Sequence, residues 1–393
     1  MRHFYQILTV FLFTLNLSCS SPKEDPTRFQ ELKITESDIA PFDEVVNEIA
    51  FIPFIIPEEN PLKLNTRDPK LLVEDYIYFS TGSFDDASIH VFEHNGQYIQ
   101  TFKKQGDGPE EYQYILGLDM IDGHLAIWDQ KGNFKFYDKE SFDFVGSKSL
   151  ANTGLKYISQ YQYLGNEKWI LVNDFAGEVD ENNYYNVFYL LNEKTEESKP
   201  LSAKTRIFTS NIIQGQIAEL SDDSYMLNFG GSDTLFHFSS DSIQPWVRLN
   251  LADKNIPEDE KLNPEKLYEK IVFQQAYNFN FGQILSGEDI LRISIFGIKH
   301  SEIVENNIHS IPVQHLYIQY PSKEYTMTKS FGAFEGKGYS NNGFFYEILH
   351  TEDVQNYLDD NYFGKYTEQL EAAVEKLVDK EDPILLRYNV KIR

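Results

Sequence analysis

The sequence predicts an all-β chain folded as a β-propeller. From about residue 45 onward, short apolar or alternating runs recur between turn residues, the pattern of half-buried strands. The runs return in sets with a period of about 40–50 residues and four short strands per set, which is the spacing of propeller blades. The aromatic content agrees. Against 4 Met and 3 Trp stand 30 Phe and 25 Tyr, and aromatic side chains favour pleated surfaces over helices.

The first set opens with Leu71 to Phe79, two strands around the acidic turn Glu74-Asp75. Ile89-His90-Val91-Phe92 then runs through Glu93-His94-Asn95-Gly96 into Gln97 to Phe102. Asn-Gly between alternating apolar residues is a strong hairpin signal, because both central positions tolerate positive φ. A second set turns at Asp122-Gly123-His124 and at Gly132-Asn133 and closes with Phe142 to Val145. A third runs from Gln162 through Trp169 to Leu191, a fourth from Ser224 through Phe236 to Leu249, and a fifth takes in Ile290–Ile298 and His315–Tyr320.

Short helical insertions are expected near 263–275 and 352–379. Asn263 caps the first and Pro264 starts it, where a missing N–H costs nothing. In the second, Leu370, Ala373, Val374 and Leu377 make one apolar stripe. Asp382-Pro383 stops it, and Ile384 to Val390 reads as a last strand. A propeller protects its edges by tying its ends together, so this strand is expected to pair with an N-terminal one such as Ile49–Ile56. Two β-sandwich domains are the competing architecture.

Composition bounds the function. The chain has 393 residues, with 35 Lys+Arg against 61 Asp+Glu and a formal net charge of −26. No basic stripe is available for phosphate backbones, which argues against nucleic acid. At 41% hydrophobic residues a sizeable core is affordable, and a single cysteine rules out a disulfide framework.

That cysteine is Cys19, behind the uncharged, mostly apolar stretch Phe4–Leu17. The stretch is short for a membrane span of about 20 residues but fits a signal-peptide core. Leu15-Asn16-Leu17-Ser18-Cys19 resembles a bacterial lipobox, with Asn16 where an aliphatic residue is usual. The resemblance implies cleavage after residue 18 and acylation of Cys19. The expected organisation is a lipoprotein signal peptide at 1–18, the acylated Cys and a flexible tether at 19–40, and the propeller at 41–393.

A family resemblance enters at Gly106-Asp107-Gly108-Pro109-Glu110-Glu111-Tyr112. This segment is similar to the G-x-G-P-x-E-Y element of the six-bladed β-propeller lipoproteins common in Bacteroidetes. The Gly231–Phe236 turn and strand, the strand Gln244–Leu249 and the ending Asp382–Leu386 are similar too. The resemblance covers about residues 40–393 and implies a six-bladed propeller in the cell envelope; NHL-type propellers, which mainly bind partners, are a looser likeness. Two glycines permitting unusual φ, Pro109 fixing a turn, and Glu111 or Tyr112 bonding a neighbouring blade suit a blade connector; a binding loop is the other reading.

Chemistry is not written in short motifs. Pro109 removes an N–H and no Lys-Ser/Thr follows, so the Gly-x-Gly is no phosphate cradle. His-Glu-x-x-His, Gly-x-Ser-x-Gly and Walker patterns are absent, and no catalytic residue, cofactor or metal is assigned. His90 and His94 read as exposed strand and turn residues. Tyr184-Tyr185, Phe344-Phe345-Tyr346 and the pair Tyr362 and Tyr366 are candidate stacking platforms for sugars or peptides.

The sequence therefore reads as a lipid-anchored outer-membrane protein, facing periplasm or surface, that binds a ligand or a protein. Its expected partners are outer-membrane lipid through Cys19, and an envelope protein, peptide or glycan. The alternative is a carboxylate-dependent enzyme on a glycan or peptide at the channel mouth, which clustered carboxylates with raised pKa values would favour. A contiguous exposed aromatic patch would favour binding.

Overall fold

The computed structural model describes residues 29–393 apart from 60–69, 82–85, 130–131, 151–152, 156–157, 174–178, 207–215, 221–223, 273, 275, 299–312, 330–337, 380–381 and 393. Cys19 and the signal-peptide reading lie outside the described residues.

Six sheets of four or five strands form the blades of a six-bladed propeller. Blade 1 comprises Leu71–Val73, Ile77–Thr81, Ser88–Phe92 and Tyr98–Phe102, and blade 2 Gly117–Ile121, His124–Trp128, Asn133–Asp138 and Phe144–Ser149. Blade 3 comprises Ile158–Tyr163, Lys168–Asn173, Phe188–Asn192 and Glu197–Pro200. Blade 4 runs through Gln216–Glu219, Tyr225–Asn228, Thr234–Ser239 and Ser242–Leu251. Blade 5 has Phe279–Gly287, Ile290–Phe296, Val313–Gln319 and Tyr325–Lys329. In each the first strand is innermost.

Blade 6 closes the ring. Tyr339–Asn341, Phe344–Leu349 and Ile384–Val390 take Val46–Pro53 as their outermost strand, in a register running from Ile384↔Pro53 to Val390↔Val46. The pairing of the last strand with an N-terminal one holds.

The N-terminal segment does more than close the ring. Gln30–Ile34 adds in parallel to the outermost strand of blade 4, and Ile39–Ala40 to that of blade 5. Beyond blade 6, Ile55 bridges Gln97 at the edge of blade 1, against the Asn95-Gly96 turn. Gly96 has φ +87°, and a Cβ there would sit 2.1 Å from the Pro53 carbonyl oxygen, so the belt passes where only glycine fits. The tether expected through residue 40 thus gives way to folded chain from residue 30. The physical reason is alternation too short to notice: Leu32 and Ile34 face inward, 4% and 0% exposed, while Glu31 and Lys33 give the segment a polar look.

Helices fall where expected, at Pro264–Val272, Thr351–Asp359 and Thr367–Val374. The last two lie between the second and third strands of blade 6. Leu370, Ala373 and Phe363 pack against Phe42 and Tyr388, with the Phe51 and Phe363 rings edge-to-face at 4.9 Å. The aromatic platforms dissolve into this and neighbouring cores. Tyr185, Phe345 and Tyr346 are buried, and Tyr362 packs on Phe42. The exposed large apolar residues among those described (Phe29, Ile99, Val145, Val179, Leu262 and Val378) come from separate stretches of chain and form no aromatic platform.

Between blades 5 and 6 lies a fully buried polar cluster. Arg292 pairs with Glu347 and donates to the Tyr388 hydroxyl at 2.9 Å; Tyr388 in turn donates to Glu347 at 2.9 Å. Tyr317 meets Tyr388 at 3.1 Å.

Candidate functional site

The segment from Lys103 to Leu116 links the outermost strand of blade 1 to the innermost of blade 2. It is folded by its own backbone: Gly106 N–H donates to Tyr112 C=O at 3.0 Å and Tyr112 N–H to Lys104 C=O at 3.1 Å. Inside this ring the Glu111 carboxylate accepts from Gly108 N–H at 2.7 Å. A Cβ on Gly106 would lie 2.0 Å from Glu111 Oε2, and one on Gly108 3.0 Å from it. In this arrangement the Glu111 carboxylate occupies the space that a side chain at Gly106 would take and lies close against Gly108. Neither has positive φ, which corrects the expectation of unusual backbone angles.

Blade 2 and blade 1 hold this segment from outside. Lys135 Nζ donates to Pro109 C=O at 2.5 Å and the Tyr137 hydroxyl to Glu110 C=O at 2.8 Å. Tyr112 is buried, donates to Ala87 C=O at 3.0 Å, and has its hydroxyl pKa pushed up to about 12 by burial.

Over blade 2 the segment walls a cleft of about 310 Å³, lined also by Trp128, Asp129, Lys135, Ser147 and Lys148. The structure thus places Gly106, Gly108, Glu111 and Tyr112 on the cleft wall, with the Pro109 carbonyl tied to lining Lys135. The polar groups are partly committed. Asp129 accepts from the Asn133 side chain at 3.0 Å, and Lys148 pairs with Glu193 at 2.9 Å. Asp107 is exposed and held by Gln113 at 3.0 Å. A cleft carrying both signs of charge on a braced wall is suited to a polar ligand.

A second polar region sits on the axis. The innermost strands are stitched side chain to backbone: Gln160 Oε1 accepts from Ile217 N–H at 3.2 Å, Gln216 Oε1 from Ile284 N–H at 2.9 Å, and Ser340 Oγ from Ser286 N–H at 3.2 Å. Asn341 donates to Val73 C=O at 2.6 Å, and Tyr339 to Glu74 Oε1 at 2.9 Å. Asp119 of blade 2 is half-buried among them. Burial, with the charges of Glu74 and Glu219 from blades 1 and 4, raises its pKa to about 7 against the pull of Met120 N–H. Sequence spacing gives no hint of this coupling, because Glu74, Asp119 and Glu219 lie in three different blades.

The linkage has a definite sign. Between the ordinary 3.8 and about 7, native Asp119 keeps a proton that the unfolded chain has lost. Its contribution to stability therefore falls as pH rises through that window. In urea titrations at pH 4, 5.5 and 7.5, Asp119→Asn should flatten that decline relative to wild type. Parallel curves would mean that water reaches Asp119 freely.

His90 is buried, correcting the exposed reading. Its ring contacts Thr81 Oγ1 at 2.8 Å and Thr101 Oγ1 at 2.9 Å, and burial lowers its pKa to about 4. Among the described residues, no group of three or more His, Cys, Asp or Glu side chains is placed to hold a metal ion. No helix among them is long and apolar enough to cross a membrane.

Comparison with known proteins follows the same lines. A family model described as a six-bladed beta-propeller matches residues 26–294. A crystal structure of an exported protein from Bacteroides fragilis is similar at TM-score 0.62 and 13% identity, covering 93% of this chain and 100% of that chain. The WD40 repeats of RRP9 give TM-score 0.41 at 11% identity, covering 90% of this chain and 99% of that chain. No curated protein sequence matches.

Proposed function

Because this chain belongs to that six-bladed β-propeller family, we propose that it is a lipid-anchored envelope protein whose cleft over blade 2 binds a polar ligand or partner. The observation that carries the binding reading is the cleft itself. Its wall is braced by backbone hydrogen bonds and by the Glu111 carboxylate turned in on the loop, and it presents Asp107, Asp129 and Lys135 together. The lipobox-like Cys19 supports anchoring, and the likeness to an exported protein supports an envelope or secreted location.

A panel of short peptides and oligosaccharides, screened by hydrogen exchange at residues 104–114, tests the site. Asp107→Ala combined with Lys135→Ala should weaken any ligand so found by about tenfold or more, equivalent to about 1.4 kcal/mol. Unchanged affinity, or protection centred on the axial strands, refutes the cleft. For the anchor, Cys19→Ser should move the protein from the membrane fraction to the soluble one; a variant that still sediments with membranes refutes acylation there.

A second reading has one observation in its favour. Burial, with smaller contributions from the charges of Glu74 and Glu219, raises the Asp119 pKa to about 7, the range a general acid on a glycan or peptide needs. Hydrolysis that disappears in Asp119→Asn while cleft binding persists would establish it.

A further inference from the structure

We propose that the outer edge of blade 2, strand Phe144–Ser149, docks an extended cationic segment of a partner protein as an added strand. This deepens the cleft reading and rests on it, since Ser147 and Lys148 belong both to the edge and to the cleft wall.

The fold itself shows that its edges take strands. The belt adds Gln30–Ile34 to blade 4 and Ile39–Ala40 to blade 5, both in parallel, and bridges blade 1 through Ile55. Among the described residues, the outermost strands of blades 2 and 3 carry no such addition. Open edges are ordinarily guarded by charge, proline or a bulge. Blade 3 is guarded: its edge strand Glu197–Pro200 carries Glu197 and Lys199 and ends in proline.

Blade 2 is guarded less. Val145, second in the strand, stands 50% exposed, and the position a Cβ would take on Gly146 meets nothing within 4 Å. The lysine that would guard it, Lys148, is turned inward to Glu193 and lies 5.7 Å from the Trp169 ring centre. The register shift in this hairpin skips Val145, which falls between the pairings Phe136↔Gly146 and Tyr137↔Phe144, so the bulge lies at Val145 and the pairings of Gly146 to Ser149 beyond it are regular. An added strand gains main-chain hydrogen bonds here, with the cleft beside it for a side chain.

Charge selects the occupant. A second copy would bring another −26 to the edge, whereas exposed Glu140 and Asp143 precede the strand and favour Lys or Arg on the incoming segment.

The probe is a synthetic alternating Lys-Val peptide, with a Glu-Val peptide of the same length as its counterpart, followed by affinity and amide exchange on the whole protein. The Lys-Val peptide should slow exchange at 144–149 and the Glu-Val peptide should not. Val145→Lys should weaken binding about tenfold and Val145→Glu should leave it equal or tighter; both change an exposed side chain and leave the fold intact. Protection elsewhere, or equal affinities in the two variants, overturns the proposal. Protection at 104–114 without any at 144–149 overturns the edge while leaving the cleft; protection at neither overturns both. A wild-type dimer in sedimentation that Val145→Lys dissolves assigns the edge to a second copy and also overturns it.

Discussion

Arg292→Met should lower unfolding free energy by about 3–5 kcal/mol, because removing one member of a buried ion pair strands the other charge. Both side chains are only 2% exposed, and the Tyr388 hydroxyl ties them together from blade 6. With Arg292 gone, Glu347 keeps one hydroxyl and His315, 3.7 Å away, whose pKa burial and Arg292 hold well below the imidazole range in the native protein. A neutral imidazole does not replace a guanidinium. The double variant Arg292→Met/Glu347→Leu should recover most of the loss, since well-packed apolar replacements of buried pairs are often neutral. Urea denaturation of the four proteins in the cycle decides it. A loss below about 1 kcal/mol in Arg292→Met would mean that water screens the pair as it does at a surface. The position matters because Tyr388, which binds both members of the pair, lies on the strand Ile384–Val390 that closes the ring against Val46–Pro53.

What the sequence discloses about this fold is what lies within one hairpin. The Asn95-Gly96 turn, the strand Ile89–Phe92 and the Leu370–Ala373 stripe are local, and each forms the predicted element, although all four residues of Ile89–Phe92 are buried and none alternates outward. Contacts between blades are different in kind. Arg292 and Glu347 are in separate blades, and so are Glu74, Asp119 and Glu219; no spacing rule joins them. The segment at 106–112 is an intermediate case. Its glycines, proline and acid are legible as a built turn, but the contact they make is not, because the group packed against Gly106 and Gly108 is Glu111 folded back on its own loop. Aromatic clusters misled for a related reason: a pair such as Phe345 and Tyr346 reads alike whether it faces solvent or a neighbouring blade.

The belt is where a local reading failed and where a second large effect is expected. Ile34→Ala should cost about 2–5 kcal/mol, the usual range for emptying a buried aliphatic site. Ile34 is 0% exposed and shares a core with Leu249, Leu251 and Trp246. A protein beginning at residue 41 should lose more than one beginning at residue 29. It forfeits burial of both Leu32 and Ile34, about 1.5–3 kcal/mol each, and uncovers the edges of blades 4 and 5. Lys33→Ala is the control, since its pair with Asp253 at 2.9 Å is exposed on both sides and such pairs contribute little. Equal stability of the two truncations would restore residues 30–40 to the tether. The expected result instead makes the residues that lead from Cys19 part of the ring. Force on a lipid anchor would then reach blade 4 first, through strand hydrogen bonds and two buried side chains, before it reached the seam at blade 6.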